Sequence, residues 1–190
     1  MSSTPLRYSQ NFLRDPQQVE RLLTLSSIGA DDVVYEIGPG KGMITDRLAQ
    51  CCQRVIAIEK DRMLAERLRC RYAAQPHVAI HASDFLEFPL PEQPYKVFPN
   101  IPFSITHAIV TRLTSAATPP QDAYLIMQRE AADKFCGIPR ESLYAVLLKP
   151  WFDLDILYHF RRDDFHPAPR VDVVMLRLRK RGPPLIASHE

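Results

Sequence analysis

Three of the chain's six glycines fall in one run of five residues, Gly38-Pro39-Gly40-Lys41-Gly42. The run follows directly on an apolar stretch of strand length, Val33 to Ile37, and precedes a helical pattern from Met43 to Cys51. Glycine adopts positive φ without strain and lets another group approach the backbone without a Cβ in the way. Gly38 is therefore expected to permit a tight turn, Gly40 to leave room for a ligand against the main chain, and Gly42 to open the helix. The spacing is G-x-G-x-G and not the G-x-G-x-x-G of dinucleotide binders, which argues against hydride transfer. On its own the run fits a plain strand-to-helix turn as well as a ligand cradle.

The pattern around it continues in the same alternation. Arg54 to Glu59 reads as a second buried strand and Asp61 to Tyr72 as an Arg-rich amphipathic helix with Asp61 as its N-cap. Val78 to His81 and Tyr95 to Phe98 are short strands, Ile105 to Thr114 a helix after a proline stop, Ala123 to Met127 a strand and Arg129 to Phe135 a helix. Strand and helix in turn imply an α/β fold with a mostly parallel sheet. The end changes character: Leu154 to Phe160 and Val171 to Leu178 are strand-like, and the stretch from Arg161 to Arg170 between them carries no helix. That predicts an antiparallel hairpin closing the sheet. Arg181 to Glu190 is Pro-rich and polar and reads as a frayed tail.

At 190 residues the chain suits one sizeable core. Its 17 prolines are scattered through periodic apolar sequence, which excludes a collagen-like or low-complexity chain. A net charge of +2 is too mild to diagnose a nucleic-acid binder, so local clusters must carry that argument. Cys51, Cys52, Cys70 and Cys136 show no C-x-x-C spacing, and His77 and His81 flank a strand where they share no helical face, so no metal site is expected. Lys41 lacks the spacing and the Ser/Thr of a P-loop. No signal-peptide core or membrane span is read, which gives a soluble cytoplasmic protein as the expectation.

Two acidic residues turn the glycine run into a site. Glu59 ends the second strand, where a carboxylate can accept hydrogen bonds from the two hydroxyls of an adenosine ribose; the alternative is a helix-entry charge beside Asp61. Asp84 follows the third strand, where it can accept from an adenine amino group, with Phe85 as a ring for the base to stack on; the alternative is a turn residue. The edge where parallel strands end is where open α/β sheets bind ligands.

After the fourth strand comes Pro99-Asn100-Ile101-Pro102-Phe103. Pro102 holds Ile101 extended and keeps its carbonyl out of helical hydrogen bonding. Asn100 adds a second acceptor and Phe103 a flat apolar face, a set that matches an exocyclic aromatic amine. Hydrogen bonds from the two N–H groups of such an amine to Asn100 and the Ile101 carbonyl would favour a pyramidal nitrogen, freeing its lone pair to attack a methyl sulfonium. Phe103 would stack on the flipped base.

These segments, with Ser9-Gln10-Asn11-Phe12-Leu13 and Phe165-His166-Pro167-Ala168-Pro169-Arg170-Val171-Asp172, together resemble the ribosomal RNA adenine N6-dimethyltransferases over about Tyr8 to Leu178. The Asn-Ile-Pro-Phe form is closer to the erythromycin-resistance (Erm) enzymes of 23S rRNA than to the small-subunit enzymes, which more usually carry Asn-Leu-Pro-Tyr. The resemblance implies a class I S-adenosylmethionine-dependent, Rossmann-like fold with a seven-stranded sheet whose last strand is antiparallel. It implies S-adenosyl-L-methionine as cofactor and successive methylations of one adenine. By motif, Gln10, Asn11 and Leu13 would line the methionine end, Gly38 and Gly40 the turn under it, Glu59 the ribose, and Asp84 with Phe85 the adenine. Lys60 and Asn100 join the cofactor-binding set, and Asn100, Ile101, Pro102 and Phe103 would hold the target base as the catalytic group.

The relatives carry a small helical domain after the last strand, whereas residues 1–180 here read as the catalytic domain and 181–190 as a tail. RNA contacts would then come from the catalytic domain, with Arg7, Arg14, Lys96, Arg129 and the hairpin arginines Arg161, Arg162 and Arg170 as candidates. Arg62, Arg67, Arg69 and Arg71 read as a solvated helix face. The expected protein is a monomer that methylates 23S rRNA and confers resistance to macrolide, lincosamide and streptogramin B antibiotics. A small-subunit (16S) rRNA enzyme and a non-catalytic RNA-binding relative are the alternatives.

Overall fold

The computed structural model describes residues 12–99 and 103–185. A seven-stranded sheet forms its centre. In chain order the elements are β1 (Phe12–Leu13), α1 (Pro16–Thr24), β2 (Val33–Ile37), α2 (Met43–Cys51), β3 (Arg54–Glu59), α3 (Arg62–Arg71), β4 (Val78–Ala82), β5 (Lys96–Val97), α4 (Thr106–Thr114), β6 (Asp122–Gln128), α5 (Arg129–Cys136), α6 (Leu143–Leu148), β7 (Phe152–His159), β8 (Phe165–His166) and β9 (Val173–Lys180). The large sheet runs β4-β3-β2-β5-β6-β9-β7, and β1 pairs with β8 in a separate two-stranded ribbon. Pairing is parallel from β4 through β6, while β9 runs antiparallel to both of its neighbours, β6 and β7. The expected hairpin therefore exists, but its second strand inserts between β6 and β7, so β7 itself runs with the rest of the sheet.

The central strands are mostly apolar on both sides because helices cover both faces. Five of the six residues of β3, Val55 to Glu59, are buried, as are Asp122 to Met127 of β6. Two apolar layers result. One gathers Ile37, Ile58, Phe85, Val97, Ile109, Leu125 and Leu176; the other gathers Leu13, Leu22, Val34, Leu48, Phe98, Tyr124 and Phe165.

Two helices and a ribbon escape the sequence reading, although local signals for the helices are present. Helix α1 starts with Asp15, whose carboxylate accepts from Gln17 N at 2.8 Å, followed by Pro16 at the first helical position. Helix α6 is capped by Ser142, whose hydroxyl accepts from Ala145 N at 3.0 Å. The β1–β8 ribbon joins residues 152 and 154 positions apart, Leu13 with Phe165 and Phe12 with His166, and carries no local signal. The loop read as helix-free holds a single 3-10 turn at Arg162–Asp164. The described part of the tail is tied down and not frayed: Arg181 N donates to the Trp151 carbonyl at 2.8 Å, Leu185 N to the Pro150 carbonyl at 2.9 Å, and the Arg181 guanidinium pairs with Asp153 at 2.5 Å. Among the described residues no helix is long and apolar enough to cross a membrane.

Candidate active site

Chain order reverses at β2, which has β3 on one side and β5 on the other. A crevice opens outside the carboxyl ends of strands at such a switch point. The glycine turn leaves β2 there. Gly38, Gly40 and Gly42 all have positive φ, at 70°, 58° and 84°. Gly38 N extends the ladder by donating to the Ile58 carbonyl at 2.9 Å, and Gly42 is the N-cap of α2. The space beside Gly40 is used differently from the expectation: a Cβ there would lie 2.8 Å from the Phe12 ring. The N-terminal ribbon, not only a ligand, needs this glycine. A Cβ on Gly42 would meet Leu68 at 2.8 Å, so that glycine serves the packing of α3.

Glu59, 3% exposed, binds the turn directly. Its Oε2 accepts from Gly40 N at 3.0 Å and its Oε1 from Asp61 N at 2.9 Å. The helix-entry role is thus borne by this side chain, and since a carboxylate offers about four acceptor sites, two are left. One strand further on, Asp84 accepts from Leu86 N at 2.9 Å and from Lys60 Nζ at 2.7 Å. The Lys60 ammonium and the Leu86 N–H hold its carboxyl below the usual range. Two acceptor sites remain on it as well. The Ser83 N–H donates to the Glu59 carbonyl at 3.0 Å, which fastens these two strand ends together. Adjacent strands lie about 4.8 Å apart, so the glycine turn, Glu59 and Asp84 form a row roughly 10 Å long.

Two assigned side chains are buried in the core. The Phe85 ring is 4% exposed and packs in the core with Ile58, Val97 and Ile109, with the Arg112 guanidinium 6.0 Å from its centre. It offers no free face for a base, because the strand end turns inward to close the core. Leu13 is also a core side chain, paired with Phe165 in the β1–β8 ribbon. Phe103, by contrast, is half-buried and opens a 3-10 turn ahead of α4, packed against the edge of the core. Gln10, Asn11, Asn100, Ile101 and Pro102 lie outside the described residues.

The basic candidates divide in the same way. Lys96 begins β5, at the sheet edge away from the glycine turn, and its ammonium is held by Asp32 at 2.7 Å and by the Ser27 carbonyl at 2.5 Å. Its side chain is 11% exposed, so it cannot meet a phosphate on the site edge. Arg129, Arg162 and Arg170 do converge, lining a cavity of about 440 Å³ with Glu130, Asp133 and Asp172 at the end of β6. Arg71, read as solvated, instead reaches the turn: it donates to the Lys41 carbonyl at 3.2 Å and to Asp46 at 2.5 Å. Tyr72 braces it too, with its hydroxyl donating to Asp46 at 2.6 Å. These contacts cross from α3 to α2, and nothing local in the sequence signals them.

Glu36 completes the neighbourhood. It is fully buried, and burial pushes its pKa up to about 8, against the pull of the adjacent Thr45 hydroxyl and N–H; neither carboxyl oxygen finds a donor in hydrogen-bond geometry. An unfolded glutamate loses its proton near the ordinary 4.5, well before the folded one. The unfolded state therefore gains stability relative to the folded one as pH rises from about 4.5 to about 8. Each unit of that interval costs up to about 1.4 kcal/mol. Glu36→Gln is expected to flatten this slope, so that its melting temperature relative to the parent climbs between pH 5 and 8. Thermal unfolding across that range measures it, and parallel curves would refute the assignment.

The model of the family described as ribosomal RNA adenine dimethylase matches residues 1–189. An rRNA adenine N-6-methyltransferase of Aeromicrobium erythreum is 37% identical over 178 residues, covering 93% of this chain and 52% of that protein. The chain thus spans about half the length of that relative. The ribosomal RNA small subunit methyltransferase A of a Synechococcus strain is 34% identical, covering 94% of this chain and 68% of its own. Among solved structures, that of the 23S rRNA methyltransferase ErmE superposes with a TM-score of 0.87 at 34% identity, over 94% of this chain and 73% of its own. The seven-stranded α/β architecture with its antiparallel strand is that of these methyltransferases, and the chain belongs to the ribosomal RNA adenine dimethylase family.

Proposed function

We propose that the protein transfers methyl groups from S-adenosyl-L-methionine to the N6 amine of an adenine in 23S rRNA. The observation that carries this reading is the row of Gly40, Glu59 and Asp84 along one sheet edge, with acceptor sites to spare on both carboxylates. Two hydroxyls on Glu59 and an amine on Asp84 match an adenosine, and the positive-φ turn leaves main chain at its other end. When bound, the cofactor supplies an electrophilic methyl group on a sulfonium.

The chain's own residues do the rest. Glu59 and Asp84 fix the nucleoside half, and Lys60 keeps Asp84 ionised and oriented. Asn100 and the Ile101 carbonyl accept from the target amine, and Phe103 stacks on the base. No strong general base is needed, because the nitrogen becomes more acidic once alkylated. The arginines around the cavity at the end of β6 suit phosphates next to a flipped nucleotide. A monomeric, cytoplasmic enzyme that protects ribosomes from macrolide, lincosamide and streptogramin B antibiotics follows from this reading.

The large-subunit choice is supported by the Asn-Ile-Pro-Phe form and the likeness to ErmE. The small-subunit reading is favoured by the Synechococcus relative's name. Labelled S-adenosylmethionine supplied with protein-free 23S rRNA in one tube and assembled small subunits in another separates them. Label is expected in the first tube. Label in the small-subunit tube alone would overturn the 23S assignment, and label in neither would favour a binding role without catalysis.

A further inference from the structure

Two adjacent cysteines, Cys51 and Cys52, close helix α2 at the sheet edge opposite the glycine turn. Side chains of consecutive helical residues diverge by about 100°. Here they converge, because Cys52 leaves the helix with an extended backbone at φ −130° and ψ 162°. Both thiols point at a single oxygen, the Leu48 carbonyl, with Cys52 Sγ at 2.9 Å and Cys51 Sγ at 3.8 Å. The same carbonyl also accepts from Cys52 N at 3.1 Å. An oxygen with two lone pairs cannot serve three donors well, so an S–H proton can be given up there at small cost.

Cys51 is half-buried and Cys52 9% exposed, so the pair is reached from the Cys51 side. Cys70 in α3 and Cys136 at the end of α5 each stand on a helix of their own. Burial pushes both thiols of the pair upward, Cys52 to about 12, and the Asp32 carboxylate pushes in the same direction. Attack on alkylating agents or peroxides needs a thiolate, which is scarce here. A reagent that condenses with two neutral thiols at once meets no such barrier.

We propose that Cys51 and Cys52 form a chelating dithiol site for trivalent arsenic, taken up as an organoarsenous acid with two hydroxyl groups on the metalloid. Two As–S bonds form while two As–O bonds and two S–H bonds break, and each thiol proton leaves with a hydroxyl as water. Arsenic stays trivalent and no disulfide forms, so neither oxidant nor reductant is consumed. The site is separate from the cofactor reading, since the length of α2, about 14 Å, lies between the cysteines and the glycine turn.

Phenylarsine oxide, which hydrates to such an acid, is the probe. After incubation with the full chain and a wash with excess glutathione, native mass spectrometry should find one phenylarsenic group per chain, and the dithiol dimercaptopropanol should strip it. Peptide mapping of the parent adduct should place the arsenic on the segment that holds both Cys51 and Cys52. Cys51→Ser removes one arm of the chelate and should weaken retention roughly 10²- to 10⁴-fold. Cys70→Ser and Cys136→Ser should leave retention unchanged. No adduct surviving the glutathione wash in the parent would overturn the proposal, as would an adduct mapped to Cys70 or Cys136, or full retention in Cys51→Ser. The mapping on the parent chain decides the matter even if Cys51→Ser fails to fold.

Discussion

Asn100→Ala is expected to abolish methyl transfer while leaving cofactor affinity within a few-fold of the parent. The nitrogen of an adenine amine carries its lone pair in conjugation with the ring, and the acceptors that hold its two N–H groups matter most as the nitrogen turns pyramidal. Interactions made chiefly in the transition state lower kcat when lost and leave ground-state binding of the other substrate alone. Removal of one such preorganised group in other enzymes costs about 10²- to 10³-fold in rate. Single-turnover transfer of labelled methyl to 23S rRNA, set beside calorimetric binding of S-adenosylhomocysteine, separates rate from affinity. Cofactor binding lost together with activity would show that Asn100 holds the cofactor and not the target base.

Glu59→Ala should do the reverse. On the proposed reading it deletes the acceptors for two ribose hydroxyls, each charge-assisted bond contributing about 1.5 to 3 kcal/mol. Loss of both would weaken binding by roughly 10²- to 10⁴-fold. The same truncation strips Gly40 N and Asp61 N of their partner, so the glycine turn and the start of α3 loosen together and the melting temperature falls. Glu59→Gln tells the two effects apart. Its amide can still accept from one backbone N–H but turns its own N–H groups toward the other, so turn stability is partly kept while ribose affinity is not. Calorimetry and thermal unfolding on both variants provide the check. Undiminished affinity in Glu59→Ala would reduce Glu59 to a purely structural brace.

Much of this site was readable along the chain, because its parts obey local rules. A glycine run between a strand and a helix needs only backbone sterics, and the left-handed φ at Gly38, Gly40 and Gly42 follows from it. Asp61 as the N-cap of α3 follows from side-chain reach: its carboxylate accepts from Met63 N and Leu64 N. The failures are equally physical. Phe85 stands beside Asp84 and reads as a stacking ring, yet burying an aromatic side chain is so favourable that the core takes it. Lys96 reads as an active-site cation yet stands at the opposite edge of the sheet, because a two-residue strand gives no clue to which of its ends is near the turn. Arg71 and Tyr72 give no local sign of bracing the turn, because their partners, Lys41, Gly42 and Asp46, lie at least 25 residues away.

The sequence by itself determined the alternation of strands and helices, the positive-φ turn and the carboxylates at successive strand ends. Each depends on periodicity, steric freedom or functional-group chemistry within a dozen residues. Only the tertiary structure decided that β9 enters between β6 and β7, and that the N-terminal ribbon lays Phe12 against Gly40. Only it decided that Glu36 is fully buried under the same turn, with Asp46 and Glu59 as the neighbouring charges. The physical reason is that register, burial and local electrostatic field are sums over neighbours distant in the chain. A residue's own type sets what it can do, and its surroundings in the fold set whether it bears a charge, finds a partner or faces a ligand.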